Sequence, residues 1–318
     1  MPEYILALGP SPTQRDIDVA LAVGQRWFLA SAGTLAARYL LALPDDLDVH
    51  VVLDSYAWPI DNLRRPRFDG WWQHVRGWRR GPGDYGRLGY AIGYDVIGDP
   101  VATNGYYRQT LSLMARRELP DLPMVPVLTY GDNPAGLSVD MLYGYAGVRD
   151  DLVSESGERE RPFYAVGGLV PQRGNKASVA WVQSIADELA GLCTDSGEDE
   201  ALCDPQFLGV HLLGSTRPDY WRALESVGLR VWCDNSTPLR QAGFGDEQLA
   251  WAYTDAYGLD QDLLHRSRFA RVAWWLCRER ALCSLPWTMP DPTWLEELPG
   301  LQPWVKPAQQ AALDLFAA

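Results

Sequence analysis

The chain has 318 residues, 47% of them hydrophobic and 22% charged, which excludes a disordered or fibrous protein and allows one large domain or two small ones. With 28 Lys and Arg against 41 Asp and Glu the net charge is −13, which argues against a protein that coats nucleic acid non-specifically, since that binding relies on cations releasing counterions. Local basic patches are still compatible with it.

The longest apolar stretches are broken by His50 or Arg271 and fall short of a membrane span. The start, Met1-Pro2-Glu3-Tyr4, lacks a basic region followed by an apolar one, so a cytoplasmic chain is expected. Five cysteines without a C-x-x-C pair fit a reducing compartment and predict no disulfide framework. Fourteen tryptophans serve equally well as core or as stacking surface, and composition does not choose.

In chain order, strand-like runs are predicted over residues 4–8, 27–30, 49–53, 90–94, 125–128, 163–166, 207–211 and 230–233. Helical patterns lie between them, among them residues 104–118, 178–192 and 218–227, the last opening on Pro218. Eight repeated βα units with nearly continuous apolar strands predict a parallel (β/α)8 TIM-like barrel over residues 1–245. Residues 246–318 are predicted to form a C-terminal helical extension packed on it, with Pro-rich residues 286–303 as a surface excursion. The rival, an open doubly wound sheet, needs a phosphate-binding turn after its first strand. Gly81-Pro82-Gly83-Asp84-Tyr85-Gly86 spells G-x-G-x-x-G, but it follows an Arg- and Trp-rich stretch instead of a strand.

A barrel of this kind builds its active site at the C-terminal ends of its strands, and here those ends are acidic. Asp54 closes the third run, Asp95 follows the fourth and Asp234 closes the eighth, while Gly167-Gly168 ends the sixth and leaves room for a flat ligand against the backbone. An Asp after a strand is ordinarily a helix N-cap, and Asp99, followed by Pro100, is predicted to be one. Capping accounts less well for Asp54 and Asp234. Two carboxylates facing one glycosidic carbon supply a nucleophile and a proton carrier for a retaining displacement.

Taken in order, Leu53-Asp54-Ser55, Tyr94-Asp95 with Gly98-Asp99-Pro100, Tyr164-Ala165-Val166-Gly167-Gly168-Leu169-Val170, His211 with Gly214, and Gly228 through Cys233-Asp234-Asn235-Ser236 resemble the tRNA-guanine transglycosylase superfamily. The resemblance runs from Asp54 to about Gly245 and points to the DNA-acting branch, the deoxypurine-in-DNA proteins that place 7-deazaguanines in phage and bacterial DNA. It implies base exchange by double displacement in a bacterial or phage-infected cell. Asp234 falls on the family nucleophile, Asp54 on the residue that shuttles the proton, Asp95 on the base edge and Gly167-Gly168 on the floor beneath it. Ser55, Tyr130 and His211 are assigned to substrate binding with them. The implied partners are DNA, with tRNA second, and a free 7-deazapurine base.

The chain also departs from the family pattern. Tyr56-Ala57-Trp58-Pro59 adds bulk after Asp54-Ser55, and Thr129-Tyr130-Gly131 stands where the tRNA enzymes carry a Gln-Gly segment. Their C-x-C-x-x-C zinc motif is absent. Cys277 and Cys283 with His265 are the nearest approach, and neither a metal nor another cofactor is expected. Phosphate contacts are instead predicted from Arg64, Arg65, Arg67, Arg76, Arg79, Arg80 and Arg87, interleaved with Trp71, Trp72 and Trp78. One of these tryptophans is the expected wedge behind a flipped base. A second set, Arg266, Arg268, Arg271, Arg278 and Arg280, lies on a predicted C-terminal helix. Two alternatives share this fold: a DNA glycosylase in which water resolves the intermediate and leaves an abasic site, acting in phage defence, and a non-catalytic nucleic-acid-binding barrel. An unrelated sugar hydrolase is a third.

Overall fold

The structure is a computed structural model, and it describes residues 2–8, 12–32, 34–41, 43–44, 46–55, 67–78, 86–116, 122–130, 164–170, 175–195, 209–244, 259 and 267–297. Its strands are β1 (Glu3–Ala7), β2 (Trp27–Ser31), β3 (His50–Asp54), β4 (Leu88–Ile92), β5 (Met124–Val125), β6 (Val127–Thr129), β7 (Tyr164–Gly167), β8 (Gly209–Leu212) and β9 (Arg230–Asn235). All pair in parallel, in the order β5-β4-β3-β2-β1-β9-β8-β7-β6.

The two ends of that order are consecutive in the chain, separated by Pro126. Proline has no N–H and interrupts the ladder there. Its neighbours still bridge the join: Gly93 N–H donates to the Val125 carbonyl and Ala165 N–H to the Pro126 carbonyl, each at 2.8 Å. Eight chain segments therefore come round on themselves as the predicted α/β barrel, each within two residues of its expected bounds.

Side chains alternate across each strand, so one apolar run supplies two cores. Ile5, Leu29, Val52, Tyr90, Ile92, Val125, Val127, Ala165 and Trp232 fill the lumen. Their neighbours, such as Leu6, Phe28, Val51, Val166, Leu212 and Val231, face the helices. Burial on both faces is why the strands read as continuous apolar runs. Trp232 plugs the lumen where Gly209 leaves space, since a Cβ on Gly209 would lie 1.9 Å from its ring.

The outer layer comprises α1 (Gln14–Val23), α2 (Leu35–Leu41), α3 (Phe68–Arg76), α4 (Pro100–Ala115), α5 (Lys176–Asp195), α6 (Pro218–Glu225), α7 (Thr237–Phe244), α8 (Arg268–Leu282) and α9 (Pro292–Glu297). Asp99 is the predicted cap of α4: its Oδ1 accepts the Ala102 N–H at 2.9 Å, with Pro100 as first helical residue. Helix α8 packs against α1 and α7, where Arg268 pairs with Asp16 and Arg271 Nε donates to the Ala242 carbonyl at 3.0 Å. Among the described residues no helix is long and apolar enough to cross a membrane.

Two glycines predict opposite responses to the same substitution. Gly209→Ala forces Trp232 to move and should cost about 1–3 kcal/mol. Gly105→Ala, at an exposed position of α4 with open space around its Cβ, should gain up to about 1 kcal/mol. Denaturant melts of both variants check this, and a neutral Gly209→Ala would contradict the described packing.

Candidate active site

The end of β3 brings Asp54 level with Ser31 at the end of β2, whose hydroxyl reaches Asp54 Oδ2 at 3.5 Å. Ser55, fully buried, donates to Asp95 Oδ1 at 2.7 Å and so ties the third strand end to the fourth. Asp95 is itself 2% exposed. On the opposite wall a Cβ at Gly167 would crowd Val127 at 3.0 Å and lie in ordinary contact with Asp95 Oδ2 at 3.4 Å, which places Gly167 beside that carboxylate. Gly168 has φ +74°, and a Cβ on it would meet the Tyr130 backbone at 3.1 and 3.2 Å. One glycine is required for space and the other for conformation as well.

Asp234, 4% exposed, projects into the lumen from β9. Its Oδ1 accepts two hydrogen bonds, from His211 Nε2 at 2.9 Å and from the Gly214 backbone N–H at 2.9 Å. The other imidazole nitrogen, Nδ1, lies 3.1 Å from the Tyr90 hydroxyl. Burial first, then the charge of Asp234, pushes the Tyr90 hydroxyl well above its ordinary pKa, so it remains a donor. A carboxylate only accepts, so the proton facing Asp234 belongs to Nε2, and the Nδ1 lone pair receives the tyrosine proton. The order Tyr90 O–H to His211 to Asp234 fixes one tautomer and points the Nε2–H at Oδ1. Among the described residues no hydrogen bond reaches Oδ2, which leaves that oxygen for a ligand.

Three carboxylates thus share the C-terminal mouth. Asp54 on β3 and Asp234 on β9 are three strand steps apart, with β1 and β2 between them, and Asp95 follows the neighbouring β4. Such a cup favours positive charge developing on a bound ring and disfavours phosphate within it.

Of the predicted ligand-binding residues, Ser55, Asp95, Gly167 and Gly168 come together, and His211 sits deeper, under Asp234. Tyr130 contributes backbone beside Gly168, because its ring packs edge-on against Trp181 of α5 at 5.3 Å. Tyr90 and Gly214 were not predicted as site residues. An inward-facing tyrosine in an apolar strand carries no sequence signal beyond its hydroxyl, and Gly214, though part of the resembling segments, carries no signal for the donor role of its amide.

Several residues of the predicted basic stretches lie within the protein. Trp71, Trp72 and Trp78 are buried under the helical layer and cannot act as stacking surfaces or a wedge. Arg87 turns inward to the Leu47 carbonyl. Arg67 and Arg76 occupy the two ends of α3, whereas Arg64, Arg65, Arg79 and Arg80 lie outside the described residues, as do Tyr56 and Trp58. Four of the second set are engaged within the protein, Arg268 on Asp16, Arg271 on Ala242, Arg278 on Glu279 and Arg280 on Gln25 and Pro286, whereas Arg266 lies outside the described residues. Helix α8 packs against α1, α7 and α9, which draws its arginines into contacts within the protein. Burial pushes the Cys277 and Cys283 thiols up to about 12, and His265 lies outside the described residues.

No protein-family model and no curated protein matches this chain.

Tyr90→Phe should leave His211 Nδ1 a buried acceptor without its donor, at a cost of about 1–3 kcal/mol. With four histidines in the chain, the imidazole nitrogen resonances are assignable. The Nδ1 signal of His211 should shift in the variant while Nε2 stays protonated, and an unmoved Nδ1 signal would remove Tyr90 from the relay.

Proposed function

We propose that this protein is a nucleic-acid base-exchange enzyme, a DNA transglycosylase that inserts a 7-deazaguanine-type base through a covalent ester between Asp234 and the sugar. The observation that carries this is the asymmetry of Asp234: Oδ1 is tied by two N–H donors, and Oδ2 has no protein donor among the described residues. A carboxylate held in this way is oriented and keeps an oxygen for attack, as a nucleophile at an anomeric carbon needs.

In this mechanism Asp234 Oδ2 forms a bond to C1′ of the sugar as the bond from C1′ to the purine nitrogen breaks. The departing purine leaves with that electron pair and takes a proton from Asp54, half-buried at the mouth. The incoming base returns a proton to Asp54, its nitrogen attacks C1′, and the Asp234 carboxylate is released. The carboxylate cup stabilises the oxocarbenium character of both transition states. Asp95, held by the Ser55 hydroxyl beside Gly167, is assigned to the adjacent N–H donors of a guanine-like edge, which a carboxylate accepts. The preference for DNA over tRNA follows from the resemblance of the strand-end segments. An anionic cup, in a chain whose net charge is −13, requires phosphates to be held at the rim, away from the carboxylates.

Purified protein is incubated with duplex DNA and labelled 7-deazaguanine derivatives, and the nucleosides are analysed by mass spectrometry. Incorporated label without abasic sites is the expected result. Abasic sites without incorporation at any base concentration would assign the protein to DNA glycosylases. Asp234→Asn should abolish both products, and Asp54→Asn should slow exchange by about 10²–10⁴ with DNA affinity retained. Unchanged turnover in Asp234→Asn would overturn the proposal.

A further inference from the structure

Asp234 is followed by a residue that faces the other way. The side chain of Asn235 leaves the lumen and enters the layer between sheet and helices, where every hydrogen-bonding position of its amide is filled. Its Nδ2 donates to Thr216 Oγ1 at 2.8 Å and to Glu279 Oε2 at 2.9 Å. Its Oδ1 accepts from Tyr4 O–H at 3.2 Å and from Thr237 N–H at 3.1 Å. A backbone N–H only donates and a carboxylate only accepts, so the amide has one orientation. Burial and the nearby Glu279 carboxylate raise the Tyr4 hydroxyl well above its ordinary pKa, so it too remains a donor.

Glu279 is the far end of this cluster. It is 1% exposed, on α8, and accepts from Thr216 Oγ1 at 2.9 Å and from the Arg278 guanidinium at 2.5 Å besides Asn235. One buried carboxylate on α8 thereby joins the β8–α6 connection and the end of β9. The same two segments hold the donors and the carboxylate of the site: Gly214 lies two residues before Thr216, and Asp234 one residue before Asn235. We infer that Asn235 and Glu279 are positioning residues, which fix from outside the barrel the register in which Asp234 meets Gly214 and His211, so that α8 belongs to the catalytic unit. This deepens the base-exchange proposal and rests on it for its kinetic consequence.

The test uses the full chain in four forms: parent, Glu279→Ala, Glu279→Gln and Asn235→Asp. Asn235→Asp replaces an amide donor by an oxygen facing the Glu279 carboxylate, whereas Glu279→Gln keeps a carbonyl that accepts from Thr216 and Asn235. All are measured at a temperature where circular dichroism shows each variant folded. In the first arm, the Gly214 amide and His211 Nε2–H resonances should move in Glu279→Ala and Asn235→Asp and return toward the parent in Glu279→Gln. In the second arm, single-turnover formation of the protein–DNA adduct should fall by about 10²-fold in the same two variants with DNA affinity unchanged, as expected for misplacement of a reacting group by about 1 Å. Glu279→Gln should recover most of that rate. If the parent forms no adduct, the base-exchange proposal fails and the first arm alone decides the clamp. Unmoved Gly214 and His211 signals in both disruptive variants, or a parental adduct rate in either, would overturn it.

Discussion

Strand geometry sends consecutive side chains to opposite faces, and in β9 this constraint places Asp234 in the lumen and Asn235 among the helices. The two are neighbours in sequence and lie in different chemical environments, and the β8–α6 connection supplies a hydrogen-bond partner to each. The lumen partners of Asp234 come from β8 and the β8–α6 connection, with Tyr90 of β4 behind His211, and the partners of Asn235 from β1, α7, α8 and the same connection. Elements distant in sequence thus converge on one dipeptide. A buried, unsatisfied polar group typically costs about 1–3 kcal/mol, so partner choices at these positions are constrained together and not one at a time.

The same alternation explains what was legible in the sequence. Strand runs such as Val49-His50-Val51-Val52-Leu53 are apolar on both faces, which happens in a parallel sheet covered inside and out, and the barrel followed from their number. Strand ends were legible because acids and glycines there break the apolar pattern, and Asp99 was separable as a cap because Pro100 follows it. The Tyr90 and Glu279 contacts were not legible. Tyr90 reads as one more aromatic of a strand, and Glu279 as one more charge of an Arg-rich helix, whose burial depends on three neighbouring elements. The tryptophans of α3 misled for the related reason that a ring reads the same in a core as on a stacking surface.

Charge distribution connects fold to chemistry. Carboxylates at the mouth favour a cationic sugar in transit and repel a polyanion, so a nucleic acid is compatible with the cup if a flipped nucleotide enters and the backbone stays on the rim. Arginines that the sequence offers for phosphate contact on α8 are instead engaged within the protein. That shifts the expected phosphate contacts towards the segment around Arg64 to Arg80.

The central claim is that Asp234 becomes covalently attached to the sugar. Parent protein and duplex DNA, quenched in acid during turnover and digested, should yield one peptide whose mass is increased by a deoxyribose-linked fragment, with tandem mass spectrometry placing it on Asp234. An adduct on Asp54 or another residue, or base release with no adduct under conditions that trap an ester, would contradict the account.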